Sequence, residues 1–229
     1  MANTSIENPY KRARENMLAG QLIPNQINDP RLLDAMGKVA REQFLPERLR
    51  GRAYADETIY IDANTLIFPP RIFAKLLLAA ELKETDFVLD IKSGSGYSAA
   101  VIANMTQAVV ALENDSSLCE TAQQILIDAE VDNVAVLNQP PEDGLPSQGP
   151  FDVIFIENVV SHIPEKLLSQ LANNGRLICV ESNDPSNTGH AVKIIKKGDA
   201  LSRSALFDLD LSGFPRNRLY KSFIFDTVS

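Results

Sequence analysis

The chain has 229 residues, of which 45% are hydrophobic, so it can build the core of one large domain or of one domain with an extension. Its net charge of −8 at pH 7 argues against a nucleic-acid partner, because phosphate binding needs concentrated lysine and arginine. The two cysteines form neither a metal-ligand spacing nor a disulfide framework, so no metal site is expected.

The N-terminal residues are polar and lack the apolar centre of a signal peptide. No apolar run approaches the ~20 residues that cross a bilayer. We therefore expect a soluble, cytoplasmic protein that has no membrane partner.

The N-terminal third of the chain is predicted to be mainly helical. Ser5 is a plausible helix start and Gly20 a helix stop. Asp29 followed by Pro30 is typical of a second helix start, with a capping side chain and a proline at the first helical position. The predicted elements are helices over residues 5–20, 31–39 and 72–80, a short extended piece at 58–61 and a loop at 62–70.

From residue 87 onward, predicted strands alternate with helices, which is typical of a mainly parallel sheet with helices on both faces. The predicted strands cover residues 87–91, 108–113, 134–138, 151–156 and 177–181, and the predicted helices cover 97–105, 116–130 and 165–171. The end of the chain differs, because residues 191–197 and 205–211 flank a turn and predict an antiparallel hairpin. Residues 223–225 could complete the edge of that hairpin.

A glycine turn between the first of these strands and its helix is the most informative motif. Gly94 and Gly96 let the backbone approach a ligand, and the helix that follows contributes free N–H groups. Glu113 ends the next strand, where a carboxylate can accept hydrogen bonds from two ribose hydroxyls. Because ligands of open parallel sheets bind beyond the carboxyl ends of the strands, the sequence predicts a nucleotide-type site at this corner.

Two ligand classes fit the glycine pattern. Residues 94–99 match the dinucleotide fingerprint literally, which leaves a nicotinamide-dependent oxidoreductase open. Asp90, which lies inside the strand before the glycines, resembles the acidic residue of motif I in class I methyltransferases. That resemblance implies S-adenosylmethionine as the cofactor, with Asp90 at its methionine end and Glu113 at its ribose. The candidate cofactor-binding residues are Asp90, Lys92, Ser93, Gly94, Ser95, Gly96, Glu113, Asn114, Gln139, Glu157 and Asn158.

A longer resemblance narrows the family. The segments at residues 29–36, 39–46, 53–56, 88–100, 150–154 and 170–177 resemble protein-L-isoaspartate O-methyltransferases. The resemblance implies an α/β Rossmann-like class I methyltransferase fold, with a mostly parallel seven-stranded sheet, a C-terminal antiparallel hairpin and an N-terminal helical extension. It also implies that S-adenosylmethionine is used to esterify the free carboxylate of isoaspartyl residues in damaged proteins.

The same resemblance suggests how the chain divides. We expect an N-terminal helical extension and substrate-side loop over residues 1–80. Residues 81–229 are expected to form one compact methyltransferase domain.

The chain also departs from the family pattern on both sides of the site. The first glycine of motif I is Lys92, and the adenine-side Gly-Asp-Gly becomes Gln139-Pro140-Pro141. The family serine at the substrate carboxylate becomes Phe68, or Ile67 with a one-residue shift, and neither has a hydroxyl. Thr65 carries the nearest hydroxyl, so Thr65 and Phe68 are the substrate-side candidates. Methyl transfer to an ionised carboxylate needs no general base, so an active enzyme stays the first hypothesis. A catalytically weak or inactive cofactor-binding regulatory protein on the same fold is the alternative.

Overall fold

The computed structural model describes residues 8–62, 65–182 and 187–211. The helices in this part of the chain are α1 (Pro9–Met17), α2 (Pro30–Lys38), α3 (Pro70–Ala80), α4 (Tyr97–Ala103), α5 (Ser116–Asp128) and α6 (Glu165–Ser169). The strands are β1 (Ile59–Tyr60), β2 (Leu66–Ile67), β3 (Phe87–Ile91), β4 (Ala108–Glu113), β5 (Val134–Asn138), β6 (Phe151–Val160), β7 (Leu171–Glu181), β8 (Thr188–Lys197) and β9 (Ala200–Asp210).

Seven of these strands form one sheet in the order β5-β4-β3-β6-β7-β8-β9. The first five in that order are parallel, and β8 and β9 add to β7 as an antiparallel hairpin. The order reverses at β3, because β4 and β5 extend the sheet on one side of it and β6 and β7 on the other. The predicted α/β fold class, including the C-terminal hairpin, is confirmed. The reversal at β3 also places the glycine turn where open α/β sheets bind ligands.

Both faces of the central strands β3, β4 and β6 are buried, but helices cover the two faces unequally. Val88 on β3 packs in the core that contains residues of α1–α5, whereas Leu89 and Ile91 pack on the opposite face, where α6 contributes Leu167. Strands buried on both faces need nearly continuous apolar sequences, which explains the run Phe87–Ile91.

The N-terminal helices follow the predicted capping logic, with altered bounds. Asn8 caps α1 by accepting a hydrogen bond from the N–H of Tyr10 at 3.0 Å. Residues 5–7 of the predicted first helix lie outside the described residues. The chain does not end its helix at Gly20, because a π-helical turn, Leu18–Leu22, continues from α1. Asp29 caps α2, as predicted.

At two places near the site the fold differs from the expectations. The predicted loop at 62–70 contains β2, which pairs with β1 through Ile59 and Ile67. Strand β6 continues to Val160, so Glu157 and Asn158 lie within a strand rather than beyond its end. The predicted edge piece at 223–225 lies outside the described residues. Within the described ranges, no helix is long and apolar enough to cross a membrane.

A buried ion pair ties β7 to the segment between α3 and β3. Arg176 and Asp86 form this pair, and both side chains are almost fully buried. The Arg176 guanidinium also donates to the main-chain oxygens of Ala80 at 2.6 Å, Glu81 at 2.7 Å and Asp152 at 3.3 Å. One side chain therefore satisfies the end of α3 and aligns the start of β3 with β6 and β7.

We expect Arg176→Met to lower the free energy of unfolding by about 3–5 kcal/mol, because it leaves the Asp86 carboxylate buried without its cation. Urea denaturation monitored by circular dichroism measures the change. The matched control is Lys38→Met, since Lys38 pairs with Asp34 on the surface of α2 and both side chains are well exposed. That control should lose less than about 1 kcal/mol. Equal losses in the two variants would contradict the assigned role of Arg176.

Candidate functional site

The glycine turn is held to β4 by the main chain. The N–H groups of Lys92 and Ser93 both donate to the carbonyl oxygen of Leu112, at 2.9 and 3.3 Å. Gly94 and Gly96 have φ of +54° and +89°, in the left-handed region that favours glycine. The turn is fully buried, as is most of α4 behind it.

A close contact with Thr65 also requires glycine at position 94. A Cβ atom at Gly94 would lie 2.8 Å from Cγ2 of Thr65, a substrate-side candidate. The hydroxyl of Ser95 donates to the carbonyl oxygen of Phe44 at 2.5 Å, so it joins the turn to the N-terminal part of the chain. The turn is therefore covered by the segment before α3 as well as by α5, where Ala122 packs against Gly96.

The carboxylate of Glu113 closes the corner between β3 and β4. Its Oε2 accepts the N–H of Gly94 at 3.2 Å, and its Oε1 accepts the N–H groups of Asn114 at 2.8 Å and Asp115 at 3.1 Å. The ammonium of Lys92 lies 3.3 Å from Glu113 Oε1 and 2.5 Å from Asn114 Oδ1. Lys92 reaches this position with a φ of +62°. The Glu113 side chain is fully buried, so these donors supply the hydrogen bonds that water cannot.

The main chain of Glu113 extends the corner to β5. Its carbonyl oxygen accepts hydrogen bonds from the N–H of Gln139 at 3.1 Å, the amide of Asn138 at 3.3 Å and the thiol of Cys119 at 3.3 Å. The side chains of Gln139 and Asn114 themselves are exposed at the rim. Three strand ends therefore meet at one residue.

A second buried group of acids lies on the β6 side of β3. Asp90 is fully buried, and the hydroxyl of Ser98 donates to its Oδ2 at 2.6 Å. Burial raises the pKa of Asp90 to about 7, although the Ser98 hydrogen bond opposes that rise. Burial, with the charge of Asp90 adding to it, raises the pKa of Glu157 well above its ordinary value. The side chain of Asn158 turns back to accept the N–H of Val159 at 2.7 Å.

Arg41 is a site residue that the sequence did not single out. Its side chain is fully buried, its Nη2 donates to the carbonyl oxygen of Phe68 at 2.7 Å, and its guanidinium carbon lies 4.6 Å from the ring centroid of Tyr97. The family resemblance includes its segment, but no periodicity or spacing marks an arginine there as buried. Ser98, the partner of Asp90, was missed for the same reason.

Several buried polar atoms around these residues have no hydrogen-bond partner in the described part of the chain. The acceptors are Asp90 Oδ1 and Glu157 Oε1, and the groups that can donate are Arg41 Nε and Nη1, Tyr97 Oη and Ser93 Oγ. Such atoms are rare in folded proteins unless a water or ligand completes them. Carboxyl groups beside a guanidinium complement the ammonium and carboxylate of an amino acid, so the residues fit the methionine end of S-adenosylmethionine.

The substrate-side candidates lie next to this group. Phe68 is fully buried and follows β2. It lines a groove of about 330 Å³, whose other lining residues are Asp56, Glu57, Thr58, Pro69, Arg71, Ile72, Asp208, Leu209 and Asp210. Thr65, on the other side of β2, covers Gly94. The segment at 65–68 therefore separates the groove from the glycine turn.

Three features together define a class I methyltransferase. They are a seven-stranded sheet whose order reverses at β3, a glycine turn at that point, and acids on β3 and β4. The chain matches the family described as protein-L-isoaspartate(D-aspartate) O-methyltransferase (PCMT) over residues 13–205. It belongs to that family, as the sequence resemblance indicated.

Individual relatives agree with this membership. The chain is 40% identical to a protein-L-isoaspartate O-methyltransferase of Synechococcus sp. (strain JA-2-3B'a(2-13)), over 79% of this chain and 74% of that one. It is 35% identical to protein-L-isoaspartate O-methyltransferase 2 of Shewanella sediminis, over 86% and 80% of the two chains.

Solved structures show the same fold. One protein-L-isoaspartate O-methyltransferase superposes with a TM-score of 0.77 at 25% identity, over 86% of this chain and 64% of that longer one. A Plasmodium falciparum protein assigned to the same activity, in complex with S-adenosyl-L-homocysteine, superposes with a TM-score of 0.72 at 25% identity. This match covers 90% of the present chain and 99% of the other.

We expect Gly94→Ala to destabilise the fold by about 1–3 kcal/mol, because the new methyl group would meet Thr65 in a left-handed backbone. Gly198→Ala is the matched control, since Gly198 has a φ of +59° and open space around its Cβ position. Thermal unfolding of both variants measures the difference between them. Adding Thr65→Ser to Gly94→Ala should restore part of the loss, and no restoration would show that Thr65 is not the cause.

The raised pKa of Asp90 predicts that the free energy of unfolding depends on pH. Its folded pKa of about 7 exceeds the ordinary value of 3.8, so the folded protein keeps a proton that the unfolded chain has released. The free energy of unfolding should therefore fall as the pH rises from about 4 to 7, and Asp90→Asn should reduce that fall. Urea denaturation at pH 5, 6, 7 and 8 measures it. A difference between the two proteins that stays constant with pH would contradict the prediction.

Proposed function

We propose that this chain transfers a methyl group from S-adenosylmethionine to the free carboxylate of isoaspartyl residues in damaged proteins and peptides. Its family membership and the activity for which its relatives are named support the proposal. The structural observation that carries it is the pair of fully buried acids, Asp90 and Glu113, at neighbouring strands beside a glycine turn. Family membership also favours the methyltransferase over the nicotinamide-dependent oxidoreductase that the glycine pattern left open.

Each candidate cofactor residue except Asn158 has a proposed role, and Arg41 joins them. Asp90 and Glu157 would hold the ammonium of the methionine end, and Arg41 its carboxylate. Glu113 would face the ribose, and the main chain of residues 92–96 would follow the ligand closely. Asn114 and Gln139 would form the rim on the adenine side. The unpartnered buried atoms of Asp90, Glu157 and Arg41 support the first of these assignments.

Methyl transfer requires the protein mainly to align the cofactor with the acceptor and to exclude water. The cofactor, when bound, supplies an activated methyl group on a sulfonium. An ionised acceptor carboxylate needs no base, so the residues bind, orient and exclude water. The burial of the turn beneath Thr65 and Ala122 supports this role, because few water molecules can reach the corner.

The acceptor side is proposed to lie along the groove that ends at Phe68. This residue offers no hydroxyl, but its main-chain oxygen already receives the Arg41 guanidinium, so the segment is held firmly. Thr65 would supply the nearest hydroxyl. We also propose that residues 1–80 form the substrate-side extension of one methyltransferase domain over 81–229, and that the protein acts in the cytoplasm on proteins rather than nucleic acids, consistent with its net charge of −8.

The test is methyl transfer to paired peptides that differ only in an isoaspartyl or an ordinary aspartyl residue. Radiolabelled S-adenosylmethionine should label the isoaspartyl peptide alone, as a base-labile ester that releases methanol. Glu113→Ala should weaken S-adenosylhomocysteine binding at least about tenfold, because it removes a buried charged acceptor. Glu120→Ala, an exposed change on α5, is the control.

The outcomes separate the hypotheses. Equal labelling of the two peptides would contradict isoaspartyl specificity. Calorimetric binding of S-adenosylhomocysteine without labelling would assign the regulatory role instead. No binding at all would overturn the cofactor site.

A further inference from the structure

Lys92 stands where the family motif has its first glycine, and its side chain folds back into the site. Its φ of +62° is a backbone conformation that residues with a side chain rarely adopt. Only 9% of the side chain is exposed, and the ammonium lies 3.3 Å from Glu113 Oε1 and 2.5 Å from Asn114 Oδ1. The lysine therefore forms a largely buried ion pair with the acid proposed to face the ribose.

The acceptor capacity of Glu113 is nearly used up by the protein itself. A carboxylate offers about four lone-pair positions. Three main-chain N–H groups, those of Gly94, Asn114 and Asp115, already donate to its two oxygens. The ammonium of Lys92 is the fourth donor. A ribose hydroxyl gains a position on the carboxylate only when one of these four donors leaves, and Lys92 is the one donor of the four that sits on a long side chain.

We propose that Lys92 is an affinity-determining residue of the cofactor site, a tethered ammonium that competes with the ribose hydroxyls of an adenosyl ligand for Glu113. This inference rests on the proposed function, because it takes Glu113 as the ribose acid. Ligand binding replaces an ion pair between two opposite charges by a hydrogen bond from a neutral hydroxyl to the carboxylate, so the Coulomb attraction between Lys92 and Glu113 is lost. The ammonium already donates to the exposed Asn114 at the rim, so Asn114 can keep it as a partner after it leaves Glu113.

The competition lowers affinity without blocking the site, because a side chain with rotatable bonds can leave where a backbone donor cannot. Removing the ammonium would not leave Glu113 unpaired, since its three main-chain donors remain. Lys92 is therefore a residue whose loss should improve ligand binding, in contrast to every other candidate at this corner.

The test compares Lys92→Met, Lys92→Gly and Lys92→Arg with the natural protein by calorimetric titration with S-adenosylhomocysteine. Lys92→Met removes the ammonium, with its charge and its hydrogen bonds, but keeps an unbranched side chain. Lys92→Gly also relieves the left-handed backbone and so provides a variant that folds if Lys92→Met does not. Both should bind about tenfold to a hundredfold more tightly. Lys92→Arg keeps the cation and should stay within about threefold of the natural protein.

The matched control is Lys193→Met, which removes another buried lysine, one that pairs with Glu81 at 3.1 Å instead of Glu113. Its affinity should be unchanged. Unchanged or weaker binding in Lys92→Met and Lys92→Gly would overturn the inference, as would no binding in any variant. Tighter binding in these variants without methyl transfer by the natural protein would keep the inference and reject the proposed function. Methyl transfer by the natural protein, together with equal ligand affinities of the natural protein and the Lys92 variants, would keep the proposed function and reject the inference.

Discussion

Glu113 is the residue on which the geometry of the whole site depends. Its carboxylate gathers main-chain N–H groups from the turn after β3 and from the turn after β4, and its carbonyl oxygen receives donors from β5 and α5. Three strand ends and a helix are thereby held at one point. A buried carboxylate must be satisfied by the protein, and that requirement determines the shape of the glycine turn around it.

The charges of the site are arranged in two groups with different chemistry. At Glu113, protein donors already balance the acid, and Lys92 completes that balance. On the other side of β3, Asp90 and Glu157 are buried together, and burial raises the pKa of both acids. Each also has one oxygen without a hydrogen-bond partner in the described part of the chain. Arg41 carries the compensating positive charge but keeps two nitrogens unpaired. The second group therefore lacks hydrogen-bond partners that the ammonium and carboxylate of a bound zwitterion would supply.

The acceptor side shows how neighbouring parts of one chain can constrain each other. The Cγ2 methyl of Thr65 rests where a side chain at Gly94 would be, and the main-chain oxygen of Phe68 holds Arg41. The substrate-side segment and the cofactor corner therefore share contacts. A change on either side would move both, so the loss of the family serine at Phe68 and the gain of Lys92 concern one connected site.

Local sequence alone determined a large part of this protein. The apolar runs predicted the bounds of β3 and β4, because strands buried on both faces need continuous hydrophobic residues. The bounds of the edge strand β5 were also predicted, although only Val136 in it is buried. Asp29 with Pro30 predicted the start of α2, because capping depends on neighbouring residues only. The glycines and Asp90 predicted the corner and its class of ligand, and the multi-segment resemblance predicted the family.

The tertiary structure decided what no local pattern can contain. β2 was missed because a two-residue strand takes its identity from its partner, Ile59 against Ile67. Three features of the site depend on residues that are far apart in the sequence. Arg41 is buried, Glu157 lies close enough to Asp90 for its pKa to be affected although they are 67 positions apart, and Lys92 contacts Glu113, which is 21 positions away. Packing sets the partners and the dielectric surroundings of a charged side chain. The sequence could therefore name Asp90, Lys92, Glu113 and Glu157 as candidates, but it could not say which charges would meet or that Arg41 would join them.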